Sequence, residues 1–155
     1  MGIKKFKIAF VGSGYMNIEH IKVFKALKNN FSIEGIISKK NISAKKIAKR
    51  YNIKHVCASI KELYLATKAD LVVVAVPEIE IKKICNQVFK YPWKLLIEKP
   101  IGKNLNEAKY IFREAKKRGI LNNIVIGLNR RNYVSTLKTL ENLKSDNSKR
   151  YIQVF

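Results

Sequence analysis

The feature that most constrains this fold is a glycine turn between an apolar run and a helical segment. The apolar run covers residues 6–11, and the turn passes through Gly12, Ser13 and Gly14. Residues 15–28 follow with apolar side chains at helical spacing, at Ile18, Ile21, Phe24 and Leu27. A strand, a glycine turn and a helix in this order predict the first unit of a dinucleotide-binding fold.

The residue types in the turn suit an anionic ligand. Gly12 permits a tight turn, and Gly14 has no Cβ, so that backbone can approach a pyrophosphate. The helix that begins at Tyr15 and Met16 directs unpaired N–H groups and its positive dipole end at that anion. These four residues are predicted to bind the cofactor. Asn17 stands where a third glycine would let helix and strand pack closely, so an ordinary strand-to-helix turn is the alternative.

Apolar and helical segments alternate along the rest of the chain, which predicts an α/β fold with a doubly wound parallel sheet. Ser43 and Asn104 are predicted helix N-caps, and Glu107 completes a capping box with Asn104. Residues 1–128 are predicted to form the dinucleotide-binding domain, and residues 129–155 an appended helix and strand that begin a second, missing or truncated domain. Further strands are predicted at 32–38, 54–57, 71–76, 94–97, 124–128 and 150–155, and further helices at 43–51, 60–66, 79–90, 105–118 and 133–144.

The end of the second predicted strand bears on the choice between NAD and NADP. An acidic residue there, about 20 residues after the glycines, would hold the adenosine ribose hydroxyls. The chain instead has Ser38, Lys39 and Lys40 at this place. A hydroxyl followed by two ammonium groups suits a ribose 2′-phosphate, which favours NADP over NAD. The alternative is that both lysines are simply solvated.

The formal net charge of +21 raises the question of a nucleic-acid partner. The lysines are spread over the polar faces without an arginine cluster or a basic tail, and the chain is rich in Ile, Asn and Lys, a bias typical of an AT-rich genome. We therefore expect no nucleic-acid partner, although a basic surface would attract a polyanionic cofactor.

The two cysteines, Cys57 and Cys85, lack metal-binding spacing and lie in apolar segments. They predict buried, reduced thiols and a cytoplasmic protein without a metal site. No apolar run reaches the roughly 20 residues that span a bilayer, so no membrane partner is expected.

Four motifs in the expected order make the chain resemble the Gfo/Idh/MocA family of oxidoreductases over essentially its whole length. The most specific of them is Glu-Lys-Pro at the end of a predicted strand. The resemblance implies a Rossmann-like cofactor domain. The motifs are Gly12-x-Gly14 with His20, Val74-Ala75-Val76-Pro77, Glu98-Lys99-Pro100 and Gly127-Leu128-Asn129-Arg130-Arg131.

The resemblance also implies roles for single residues. Lys99 would lie near the nicotinamide ribose and act as the catalytic residue, because its ammonium can hydrogen-bond the reacting oxygen. Glu98 would contact the cofactor or orient Lys99, with an ion pair to a neighbouring lysine as the alternative. Pro100 would shape the loop through a cis bond. His20 is expected to be a packing or surface histidine rather than a catalytic one. Four further residues would line the cleft, Val76 and Pro77 at the nicotinamide end together with Asn129 and Arg131.

The implied activity is hydride transfer between NAD(P) and a sugar, cyclitol or nucleotide-sugar. Glu78 and Ile81 depart from the family, which usually has Asn and His there, and they favour a non-catalytic nucleotide-binding or regulatory module as the alternative. The family's substrate domain is missing, so we expect the chain alone to be nearly inactive. The predicted strand at 151–155 would be an unpaired edge that folds back, pairs in a homodimer or marks a truncation.

Overall fold

Six parallel strands form one sheet in the computed structural model, which describes residues 5–144. The spatial order is β3-β2-β1-β4-β5-β6, and every neighbouring pair is parallel. The predicted doubly wound parallel sheet is therefore confirmed. The strands are β1 (Phe6–Val11), β2 (Phe31–Ile37), β3 (His55–Cys57), β4 (Leu71–Val74), β5 (Lys94–Ile97) and β6 (Ile124–Ile126).

Helices connect the strands and extend the chain beyond the last one. They are α1 (Tyr15–Ala26), α2 (Asn41–Tyr51), α3 (Ile60–Thr67), α4 (Glu78–Val88), α5 (Leu105–Lys117) and α6 (Val134–Lys144). Two 3-10 helices flank β6, at Leu121–Asn123 and at Asn129–Asn132. The predicted C-terminal helix is thus present as α6, and the strand predicted at 150–155 lies outside the described residues. Among the described helices, none is long and apolar enough to cross a membrane.

The helix starts confirm one predicted cap and correct another. Asn104 Oδ1 accepts a hydrogen bond from the Glu107 N–H at 3.0 Å, as a cap of α5 should. The prediction that Ser43 caps α2 is wrong, because the helix begins earlier and its N-cap is Lys40. The N–H groups of Ser43 and Ala44 both donate to the Lys40 carbonyl, at 3.0 and 3.2 Å. Ser43 therefore lies inside the first turn of the helix and not before it.

Apolar clusters cover both faces of the sheet, as a parallel sheet requires. The side chains of β1 alternate between them, because successive residues of a strand point to opposite faces. Ala9 and Val11 join the cluster formed with α3, α4 and α5, whereas Ile8 and Phe10 join the one formed with α1 and α2. Cys57 and Cys85 are both free and buried in the first cluster. Because helices cover both faces of the sheet, we expect a ligand to bind at the carboxyl ends of the strands.

Candidate functional site

A cleft of about 1070 Å³ opens at the carboxyl ends of the central strands. It lies where the chain order changes direction, since β1 has β2 on one side and β4 on the other. Ligands of open α/β sheets bind at this kind of position. The loops that line the cleft contribute residues 12–16, 37–41, 57–60, 75–77 and 98–99, and one side of α4 completes the wall.

The two glycines of the first loop have different structural roles. Gly12 has a φ of +110°, and a Cβ there would lie 2.1 Å from the Ala75 carbonyl oxygen. Only glycine can therefore bring the end of β1 this close to the end of β4. A Cβ at Gly14, by contrast, would have no atom of the described residues within 4 Å beyond its immediate chain neighbours. Gly12 is needed for the fold, and Gly14 leaves open space on the cleft side.

The amino terminus of α1 offers unpaired backbone donors beside this open space. Its N-cap is Gly14, and no side chain in residues 5–144 hydrogen-bonds to the cap. Tyr15 and Met16 form the first turn without an acidic residue, and both line the cleft. Unpaired N–H groups and the positive end of the helix dipole suit a pyrophosphate. The residues present here fit a dinucleotide.

Asn17 links the two central strands beneath the loop. It is fully buried, and its Nδ2 donates to the Val11 carbonyl at 2.8 Å and to the Ala75 carbonyl at 3.2 Å. Its Oδ1 is buried without a hydrogen-bond partner in the described part of the chain. The side chain that replaces the third glycine therefore joins the ends of β1 and β4, a role that no local sequence pattern indicates.

The loop after β2 contacts two other walls of the cleft. Ser38 Oγ lies 2.7 Å from Ser13 Oγ in the glycine loop. Lys39 Nζ donates to Glu80 Oε1 at 2.9 Å, and Glu80 lies in the first turn of α4. The hydrogen bond from Lys39 holds the pKa of the Glu80 carboxyl below its ordinary value. Glu80 thus brings a carboxylate to the end of β2 from another element, 41 residues after Lys39 in the chain.

The loop after β5 carries the Glu-Lys-Pro motif. The Lys99–Pro100 peptide bond is cis, as predicted. Lys99 lines the cleft, and its backbone N–H donates to Glu98 Oε2 at 3.3 Å. Glu98 is buried, and its other oxygen, Oε1, lies 2.8 Å from His20 Nε2. His20 is therefore a hydrogen-bonding partner of Glu98, a contact that the sequence did not indicate.

The sequence of the chain identifies its family. The sequence profile GFO_IDH_MocA, described as an oxidoreductase family with an NAD-binding Rossmann fold, matches residues 6–125. The chain belongs to the Gfo/Idh/MocA oxidoreductase family. Residues 6–125 match the NAD-binding domain of that family. No curated protein sequence matches the chain.

Solved structures share this Gfo/Idh/MocA domain fold. An oxidoreductase from Thermotoga maritima matches with a TM-score of 0.82 at 23% identity, over 92% of this chain and 44% of that one. GenD2 from gentamicin A biosynthesis, in complex with NAD, gives 0.79 at 23% identity, over 94% and 40%. UDP-N-acetylglucosamine 3-dehydrogenase GnnA from Acidithiobacillus ferrooxidans gives 0.76 at 17% identity, over 90% and 44%. The chain spans about two fifths of the length of these structures.

The Gfo/Idh/MocA motifs do not all reach the cleft. Val76 and Pro77 line it beside the motif lysine. Pro100, Asn129 and Arg131 lie outside the lining that residues 5–144 form, and the last two belong to an exposed 3-10 helix. Their part in cofactor binding stays a prediction. No cluster of His, Cys, Asp and Glu suited to a metal ion occurs among the described residues.

Proposed function

We propose that this domain is the cofactor-binding part of an enzyme that transfers a hydride between a nicotinamide dinucleotide and a sugar, cyclitol or nucleotide-sugar. The observation that carries the proposal is the position of Lys99 on the cleft, next to a buried carboxylate that is itself held by His20. The name of one structural relative, UDP-N-acetylglucosamine 3-dehydrogenase, supports a hydroxyl-bearing substrate of this class.

The cleft supplies separate groups for the separate parts of a dinucleotide. The glycine loop and the first turn of α1 would hold the pyrophosphate, since they offer N–H groups and no negative charge. Ser38, Lys39 and Lys40 would hold the adenosine ribose, and their hydroxyl and ammonium groups suit NADP as well as NAD. Val76 and Pro77 would lie at the nicotinamide end. The bound nicotinamide supplies the hydride donor or acceptor.

Lys99 would act on the substrate oxygen. Its ammonium can donate a hydrogen bond to a carbonyl oxygen or take part in moving a proton to or from a hydroxyl. Glu98 fixes the backbone of Lys99 through the N–H bond and is itself fixed by His20. These contacts of Glu98 with Lys99 and His20 matter because hydride transfer depends on close alignment of the reacting groups. Glu98 and His20 are therefore assigned as positioning residues.

The first test is to titrate the purified chain separately with NADH and NADPH, following nicotinamide fluorescence. We expect saturable binding of at least one of them. Absence of binding of both at millimolar concentration would contradict the proposed cofactor.

The second test separates binding from catalysis at Lys99. In the protein that carries this domain, Lys99→Met should lower kcat by on the order of 10²-fold, the effect typical of losing a general acid–base group. The Kd for the dinucleotide should change by less than about threefold, because the groups proposed to bind the cofactor phosphates lie in the glycine loop and the first turn of α1. Lys103→Met is the matched control, because Lys103 is an exposed lysine four residues away that lies outside the cleft lining. Its Nζ lies 3.6 Å from Glu107 Oε1.

A non-catalytic nucleotide-binding or regulatory module is the second candidate. It is favoured by Ile81, which is buried in the core at a position where the family usually has His. Under this candidate the chain binds a dinucleotide, and Lys99→Met changes neither binding nor any hydride transfer. The same two measurements therefore separate the two functions.

A further inference from the structure

The ion pair between Lys39 and Glu80 joins two walls of the cleft. Lys39 follows β2, and Glu80 lies in the first turn of α4. The two charged atoms are 2.9 Å apart, and both residues line the cleft. The Lys39 side chain is 85% exposed and that of Glu80 is 26% exposed. A ligand that enters this end of the cleft therefore meets a lysine that already has a partner.

The pair changes what Lys39 can offer to a ribose 2′-phosphate. An ammonium that donates to a carboxylate has much of its charge compensated, and the carboxylate repels a phosphate that approaches it. Glu80, like any carboxyl of ordinary pKa, is ionised at neutral pH, and the Lys39 hydrogen bond lowers its pKa further. A 2′-phosphate must then bind Lys39 against the repulsion of the Glu80 carboxylate or displace it, whereas an uncharged 2′-hydroxyl meets no such repulsion.

The remaining charges at this end are positive. Lys40 and Lys83 also line the cleft, and Lys83 further favours the ionised form of Glu80. The described lining holds two carboxylates, Glu80 and Glu98, and Glu80 is the one that interacts with Lys39 and Lys83. Its removal would leave a site of uncompensated positive charge, the environment that suits a phosphate.

We propose that Glu80 is a specificity-determining residue of the cofactor site, which restrains Lys39 and thereby lowers the affinity for NADP relative to NAD. This inference rests on the proposed function, because it presumes that the adenosine ribose lies at the end of β2. It assigns discrimination to α4, an element that carries no dinucleotide motif in the sequence.

The test is a comparison of two glutamate variants that remove the same charge from the same helical turn. Glu80→Gln should lower the Kd for NADPH by on the order of tenfold and change the Kd for NADH by less than about twofold. Glu78→Gln is the matched control, since Glu78 is exposed and lies outside the lining that residues 5–144 form. It should leave the ratio of the two Kd values within about twofold of the unaltered chain.

Lys39 provides two further measurements, of which the first needs no cofactor. In the free chain, Lys39→Met should raise the pKa of the Glu80 carboxyl, as followed by NMR titration. In the Glu80→Gln background, Lys39→Met should cancel the gain in NADPH affinity. Equal effects of Glu80→Gln and Glu78→Gln, or a gain that survives Lys39→Met, would overturn the assignment.

The two proposals fail in different ways. If neither dinucleotide binds the unaltered chain, the proposed function is wrong and the assignment of Glu80 is wrong with it. If both bind and the two glutamate variants behave alike, the assignment of Glu80 alone is wrong.

Discussion

His20 Nε2 lies 2.8 Å from Glu98 Oε1, although 78 residues separate the two in the chain. The contact joins α1 to the loop after β5. The same carboxylate accepts the N–H of Lys99, and Gly127 leaves room for it, since a Cβ there would lie 2.8 Å from Oε1. One buried carboxylate therefore connects the helix beside the glycine loop to the lysine on the cleft.

Loss of the histidine should destabilise the domain. His20→Ala would leave the buried Glu98 carboxylate without this partner, which should lower the free energy of unfolding by about 1–3 kcal/mol. Urea unfolding measures the change. Lys22→Ala is the control, because Lys22 is an exposed residue of the same helix, and it should lower the free energy of unfolding much less than His20→Ala does. Equal losses for both variants would show that the contact with Glu98 contributes little.

The two glycines of the first loop should separate folding from binding. Gly12→Ala combines a φ of +110° with a Cβ 2.1 Å from the Ala75 oxygen, so it should cost about 3 kcal/mol or more. Gly14→Ala meets no described atom within 4 Å and should leave the thermal midpoint nearly unchanged. It should nevertheless weaken NADH binding about tenfold, because the Cβ occupies space on the cleft side. A Gly14→Ala chain that binds NADH normally would place the pyrophosphate elsewhere.

Asn17 should tolerate truncation better than a change of charge. Asn17→Ala removes the donor to the Val11 and Ala75 carbonyls and should lower the free energy of unfolding by about 1–2 kcal/mol. Asn17→Asp should cost more, because it buries a carboxylate against those two acceptors. Chemical denaturation of both variants measures the order. Equal losses would mean that the hydrogen bonds from Nδ2 are not what stabilises this position.

The buried thiol of Cys85 should make stability depend on alkaline pH. Burial raises its pKa from 9.0 to about 12. The folded state therefore keeps a proton that the unfolded state releases, so this contribution is complete below about pH 9 and declines as the pH rises toward about 12.

Urea unfolding at pH 7.5, 9 and 10 would test this effect of Cys85. Between pH 9 and 10 the unaltered chain should lose stability more steeply than Cys85→Ala, by at most about 1.4 kcal/mol per pH unit. The comparison of slopes removes the contribution of the lysines, which titrate in both proteins. Parallel slopes would contradict the assigned burial effect.

The sequence by itself established the elements whose signals are local. Neighbouring residues are enough to predict the apolar runs, the glycine turn and the Asn104 cap, because backbone preference, helical periodicity and capping act over a few positions. Their alternation predicted the parallel sheet. It also placed Lys99 at the carboxyl end of a strand, and all such ends meet at one edge of a parallel sheet. The position of the cleft followed from the order of the elements.

Only the tertiary structure established which side chains meet across the cleft. Glu80 reaches Lys39 from α4, and His20 reaches Glu98 from α1, because the crossover connections bring distant segments to the same edge. Asn17 joins two strand ends for the same reason. These contacts depend on distances between elements, which no local pattern encodes. The sequence therefore predicted a cleft at this edge of the sheet, and the packing of the helices established which charged side chains line it.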